Sequence, residues 1–139
     1  MSVTIIEQLG KLLRQLTRLA GGADDGLAMT ATQRIALVEL GEEGATRLND
    51  LAQRIGTSMP TASRAVDALE GHGLAKRAPD PADRRALRIE LTPKGRRLLD
   101  ERLARGAEAF EPAVAALSAA ERKQLLALLA RMTDALRDR

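Results

Sequence analysis

Two short stretches hold the side chains best suited to gripping an anionic partner. In GTSMPTASR, residues 56–64, Thr57, Ser58, Thr61 and Ser63 carry hydroxyls, Arg64 carries a guanidinium, and Met59 stands between them. In the stretch PDPADRR, Asp83 precedes the paired Arg84 and Arg85. Hydroxyls bond phosphate oxygens or base edges, and a guanidinium gives two parallel hydrogen bonds to a phosphate or a guanine edge. This is the chemistry of recognition. A third basic run, Lys94, Arg96 and Arg97, has the charge for phosphate contacts.

Bond-making chemistry has little to work with. The chain has no cysteine, which excludes disulfides, thiolate metal sites and thiol-based redox sensing. His72 is the single histidine, so no multi-histidine metal site forms within one chain; at the exit of a helix it reads as an exposed turn residue. Asp24 and Asp25 stand between glycines without a third carboxylate and read as a loop. No nucleophile elbow, phosphate-cradling loop or metal motif occurs. We therefore expect no catalytic residues, no metal, no cofactor and no enzyme.

Charge agrees with the recognition reading. Residues 44–97 carry 11 basic and 6 acidic side chains, net +5, whereas the whole chain is only +3. The excess lies where the two arginine-bearing stretches lie, and implies an anionic partner there. At 139 residues the chain is the size of one ordinary domain. Phe110 is its one aromatic, so the core is aliphatic and favours helices. The N terminus lacks a charged segment followed by an apolar run, and no apolar stretch nears the roughly 20 residues that span a bilayer. A cytoplasmic protein without a membrane partner is expected.

The elements that position these residues follow from periodicity. Ile5, Leu9, Leu12, Leu13, Leu16 and Leu19 have helical spacing over residues 4–20, ended by the GGADDG loop. A second helix begins at Thr30, with Thr30 and Gln33 as a capping box, and Gly41 and Gly44 bracket the turn after it. Residues 46–55 form a short third helix, Gly56 a tight turn, and Ser58 or Thr57 caps a fourth helix that runs to about Glu70. Two strands follow, near residues 74–78 and 86–91, joined by PDPADRR. Thr92 and Pro93 open a fifth helix, which Gly106 and Pro112 weaken or kink; Ser118 and Glu121 cap a sixth. The fold class is mainly α with a small β wing.

Ala52 and Gly56 have the spacing of a helix-turn-helix: a small residue where the second helix crosses the first, and a left-handed turn four residues later. The fourth helix then presents Thr57, Ser58, Met59, Thr61, Ser63 and Arg64 to a major groove. The hairpin behind it carries Asp83, Arg84 and Arg85 at its tip, within reach of the adjacent minor groove, where arginine is favoured.

The segment LNDLAQRIGTSMPTASRAVDALEGHGLAKRAPDPADRRALRIELTPKG resembles the winged-helix domain of the MarR family of transcriptional regulators. The matching signatures are SR-x-VD-x-LE-x-x-GL at Ser63–Leu74, D-x-R at Asp83–Arg85 and L-T-x-x-G at Leu91–Gly95; MTATQ at Met29–Gln33 and LSAAER at 117–122 also fit. The resemblance covers nearly the whole of the single chain, 1–139. It implies a winged helix-turn-helix DNA-binding region at 30–92, and a helical dimerisation region at 1–20 and 93–139 led by Ile5, Leu9, Leu12, Leu16, Leu125, Leu129, Met132 and Leu136. It further implies a homodimer on a pseudo-palindromic double-stranded operator. Arg85 would enter the minor groove, supported by Asp83, with Arg84 as a second contact there or to phosphate. A small-molecule effector that relieves repression belongs to the same implication, but the family's aromatic-lined pockets and cysteine peroxide sensing do not carry over to a chain with one aromatic and no cysteine. The alternative is a winged-helix module that docks another protein without specific DNA binding.

Overall fold

The computed structural model describes residues 2–20 and 27–137; the GGADDG loop, with Asp24 and Asp25, lies outside them. The described elements are α1 (Ser2–Ala20), α2 (Ala31–Glu43), β1 (Thr46–Arg47), α3 (Leu48–Ile55), α4 (Met59–Gly71), β2 (Ala75–Pro79), β3 (Leu87–Leu91), α5 (Pro93–Ala115) and α6 (Ala119–Arg137). They fall into two compact units: Asp24–Ala104, and the chain ends Met1–Ala23 with Arg105–Arg139. The division falls inside α5 and not at its start, because Leu99 on the first turns of α5 is part of the core of the first unit.

That unit is organised around one aliphatic core. Leu37 and Leu40 of α2, Leu51 of α3, Val66 and Leu69 of α4, Leu74, and Ile89 of β3 are all buried and pack together with Leu99. Burying each such side chain contributes about 1.5–3 kcal/mol against leaving it exposed. The start of α2 is local in origin: the Thr30 hydroxyl accepts the Gln33 N–H at 3.2 Å, and the Gln33 side chain accepts the Thr30 N–H at 3.1 Å. Gly41, expected to border a turn, lies inside α2 instead; Leu99 sits so close that a Cβ there would stand 2.1 Å from its Cδ2, so packing against α5 is what the glycine serves.

The sheet has three strands, not two, in the order β1-β3-β2 and antiparallel throughout. Thr46 and Arg47, expected as the first residues of the third helix, pair as β1 with Ile89 and Arg88. A two-residue strand has no periodicity to read, and it exists because β3 lies beside it. β2 and β3 are registered from Ala75 opposite Leu91 to Pro79 opposite Leu87, which leaves 80–86 as the loop. α5 then starts under tight constraint. Thr92 caps it, its Oγ1 accepting the Gly95 N–H at 3.1 Å and donating to the Gly73 carbonyl. A Cβ on Gly95 would stand 2.0 Å from the Leu74 carbonyl oxygen, so the last position of the L-T-x-x-G signature admits no side chain. α5 runs as one helix from Pro93 to Ala115, with Gly106 and Pro112 inside it.

In the unit of the chain ends, α6 is capped as expected: the Glu121 carboxylate accepts the Ser118 N–H at 2.8 Å and the Ser118 hydroxyl accepts the Glu121 N–H at 3.2 Å. The Ser118 backbone N–H, and next the Ser118 hydroxyl, hold the Glu121 carboxyl below the usual range. Arg122 donates to the carbonyls of Val114 and Leu117 and so ties the α5–α6 turn. α6 itself has no buried residue.

Candidate nucleic-acid interface

α3, its turn and α4 are held by few but specific groups. Ala52 is buried and its carbonyl accepts the Thr57 N–H at 3.0 Å, while Gly56 takes the left-handed conformation at φ 71°, ψ 38°. A side chain at that φ is strained, so the turn depends on glycine. Ser58 is the N-cap of α4: its hydroxyl accepts the Thr61 N–H at 3.3 Å and donates to the Thr61 hydroxyl at 2.9 Å. Pro60 follows in the first turn, where a missing N–H costs little. Ala62, Ala65, Val66 and Leu69 face the core, so the opposite face of α4 is the outward one.

On that face the expected contact residues are not equivalent. Arg64 and Met59 are exposed, and among the described residues the Arg64 guanidinium has no hydrogen bond or ion pair. Ser58 is exposed, Thr57 and Thr61 are half-buried, and the hydroxyls of Ser58 and Thr61 are engaged in capping. Ser63 is half-buried and accepts a hydrogen bond from Arg77 at 3.3 Å. Arg77, on β2, also pairs with Asp67 at 3.0 Å and with Glu70, so it braces the outer face of α4 against the sheet. It was not among the residues expected from the sequence; the available signal was the acidic pair at Asp67 and Glu70, three apart on one helix face, ahead of the basic pair Lys76–Arg77.

The wing carries its charge outward. Asp83, Arg84 and Arg85 are exposed at the tip. The Asp83 carboxylate accepts the backbone N–H of Arg85 at 3.0 Å, and its carbonyl accepts the Ala86 N–H at 3.0 Å. Asp83 thus shapes the turn on which Arg85 stands, through the backbone rather than through the guanidinium. Neither tip guanidinium has a partner among the described residues. At the base of the wing, Lys76 and Glu90 pair across the strands at 3.3 Å.

Below the tip lies a second missed feature. Asp80 is 6% exposed, and Arg47 donates to its carboxylate at 2.7 Å. The Ala82 N–H, at 2.8 Å, and then Arg47 hold the Asp80 carboxyl below the usual range; the same bond raises Arg47 further. A polar recess of about 270 Å³ opens beside the pair, lined among others by Glu43, Asp50, Arg54 and Arg88.

The third basic run lies against backbone carbonyls. Lys94 donates to the His72 carbonyl at 2.9 Å and Arg96 to the Gly41 carbonyl at 3.2 Å; Arg97 is exposed. His72 is the C-cap of α4 and half-buried, where an exposed turn residue was expected, because α4 extends to Gly71 and the backbone folds back at once into β2. Among the described residues no group of histidine and carboxylate side chains is placed to hold a metal, and no helix is long and apolar enough to cross a membrane.

Comparisons with known proteins agree with this arrangement. The family model "MarR family" matches residues 29–87, the stretch from the entry to α2 through the wing. The HTH-type transcriptional repressor NicR of Pseudomonas putida is 30% identical over 134 residues, 94% of this chain and 85% of that protein. Among solved structures, a probable transcriptional regulator from Pseudomonas aeruginosa is 38% identical with a TM-score of 0.63, covering 92% of this chain and 98% of that one. MepR of S. aureus, solved with ethidium bromide bound, is 25% identical with a TM-score of 0.67 and covers 94% of each chain.

Proposed function

The chain belongs to the MarR family of transcriptional regulators, and on that basis we propose that it is a homodimeric repressor of a pseudo-palindromic operator whose grip on DNA is relieved by a small ligand. The coarser part of this is settled by membership: the protein is a DNA-binding transcriptional regulator with a winged helix, and not an enzyme. The finer part rests on how the residues are disposed. In this reading α4 enters the major groove with Arg64 and Met59 foremost, while Arg84 and Arg85 reach the minor groove. Lys94, Arg96 and Arg97 are assigned to phosphate. The observation that carries it is the wing tip: two adjacent, exposed arginines without partners among the described residues, on a turn shaped by Asp83, directly after a helix-turn-helix.

A second copy completes the reading. Ile5, Leu9, Leu12, Leu125, Leu129, Met132 and Leu136 are exposed and Leu16 is half-buried, so α1 and α6 present apolar stripes of the kind that mark interfaces. Closed two-fold dimers are the commonest soluble oligomers, and two recognition helices related by such an axis read half-sites about one helical turn, roughly 34 Å, apart. Repression and a small ligand are supported by similar proteins: NicR is named a repressor, and MepR was solved with ethidium bromide bound.

The test is an anisotropy titration on a duplex selected by the protein from a randomised library, at several salt concentrations. Binding should weaken steeply as salt rises, since each neutralised phosphate releases counterions. Affinity that ignores salt, or no enrichment of any sequence, would overturn the reading.

A further inference from the structure

The Arg47–Asp80 pair joins parts of the winged unit that are distant in sequence, 33 residues apart. Arg47 ends β1 and is the residue from which α3 starts; Asp80 is the first residue past β2, at the entry to the wing loop. β3 lies between those two strands, so the side-chain bond reaches across the full width of the sheet. Both carboxylate oxygens of Asp80 and its backbone N–H are engaged. One carboxylate oxygen accepts the Ala82 N–H at 2.8 Å, the other accepts Arg47 at 2.7 Å, and its own N–H donates to the Ala86 carbonyl at 2.9 Å. Arg47 and Arg88 are directly opposed on β1 and β3, a like-charge pairing that destabilises a sheet on its own. Arg88 is turned aside to the Ala45 carbonyl at 3.3 Å, and the Asp80 carboxylate feels both cations.

We propose that Asp80 and Arg47 form a latch that fixes the wing loop to the start of α3, and that both act in DNA binding as positioning residues for Arg85. This rests on the DNA-binding reading above. A twisted hairpin held by its ladder alone leaves its tip free to swing, whereas a groove arginine is useful only if placed to within about 0.5 Å of its productive geometry relative to α4. The latch supplies the missing constraint at the point where the loop leaves β2, and it ends on the helix-turn-helix itself. Arg47 remains 40% exposed at its side chain, so direct contact with phosphate is the competing role.

The experiment is a double-mutant cycle in the full-length protein, read as affinity for the selected duplex and as its salt slope, with melting temperature recorded for each variant. Asp80→Asn keeps an oxygen for the Ala82 N–H and removes the charge. If the wing arginine Arg85 is worth one groove contact, Arg85→Ala weakens binding roughly 5- to 150-fold and lowers the salt slope by about 1. The latch predicts that Asp80→Asn reproduces most of that loss and of the slope change, and that adding it to Arg85→Ala costs nothing more. Arg47→Ala should match Asp80→Asn, their combination should match either alone, and Arg47→Lys should recover part of the loss; should Asp80→Asn not fold, the Arg47 variants carry the same cycle with Arg85. Losses that multiply between Asp80 and Arg85, with a lowered melting temperature, would assign the pair a purely structural role and overturn the proposal. So would Arg47→Ala weakening binding while Asp80→Asn leaves it unchanged or tighter, the signature of a phosphate contact. A wild-type protein that binds no duplex overturns both this and the reading it rests on, while normal wild-type binding with an inert Asp80→Asn overturns the latch alone.

Discussion

In the winged unit Leu37, Leu40, Leu69, Leu74 and Ile89 are no more than 1% exposed, and the charges Arg64, Arg84 and Arg85 stand exposed on its recognition helix and wing. In the unit of the chain ends α6 buries nothing, and Leu126 and Leu136 stand 71% and 74% exposed. One region has closed its own core and leaves the Arg64, Arg84 and Arg85 guanidinium groups without partners among the described residues; the other has capped α6 and tied the turn before it, and leaves apolar area open. The two therefore call for different partners. Guanidinium groups without carboxylates are matched by phosphate, and leucine stripes without a core are matched by more leucine.

The contrast can be attacked from either side. Replacing both Leu125 and Leu129 by Glu puts two charges on the α6 stripe. Each leucine buried in an interface is worth about 1.5–3 kcal/mol, so self-association should weaken by more than 100-fold, with DNA affinity falling alongside. Sedimentation velocity across a concentration series checks this, and an unchanged profile would show that the stripe is not covered by a second copy. In the winged unit, Leu37→Ala should cost about 2–5 kcal/mol through the cavity it leaves, read by urea unfolding; a cost under 1 would deny that this core is closed. Arg85→Ala should leave unfolding alone and cost about 1–3 kcal/mol of DNA binding, the reverse of the Leu37 pattern. Thr30→Ala removes a helix cap from α2 and should cost about 1 kcal/mol of stability without altering the salt slope of binding.

The smallest expected effect concerns pH. The Asp80 carboxyl is depressed when folded, chiefly by the Ala82 N–H and next by Arg47. Its contribution is therefore present above the unfolded value of about 3.9 and is lost as pH falls through the lower folded value. Asp80→Asn should flatten the acid limb of melting temperature below about pH 4 and leave its shape between pH 5 and 8 unchanged. An acid limb identical to wild type would mean that Asp80 is not held as the structure shows.

What was legible in the sequence was what is encoded within a few residues. Thr30 with Gln33 and Ser118 with Glu121 are both capping boxes in the structure, because partners three residues apart need only the helix to meet. Gly56 marks its turn by residue type alone. The residues that escaped are held by distant partners. β1 is a strand because of β3, more than 40 residues later; Arg77 reaches back to Asp67, Glu70 and Ser63; Arg47 finds Asp80 across the sheet. Periodicity says nothing of such pairings. For the candidate site this had a consequence: Ser63 stood beside Arg64 in the sequence as an equal, and the structure occupies the first with Arg77 while leaving the second open.

Sedimentation equilibrium of the full chain with a labelled, selected duplex examines both regions at once. The account predicts a complex of two 14.9 kDa chains on one duplex, assembled from protein that is already paired before DNA is added. A single chain per duplex, bound tightly and in a salt-dependent way, would contradict it: the winged unit would then read DNA alone, and the open apolar stripes of α1 and α6 would belong to some partner other than a second copy.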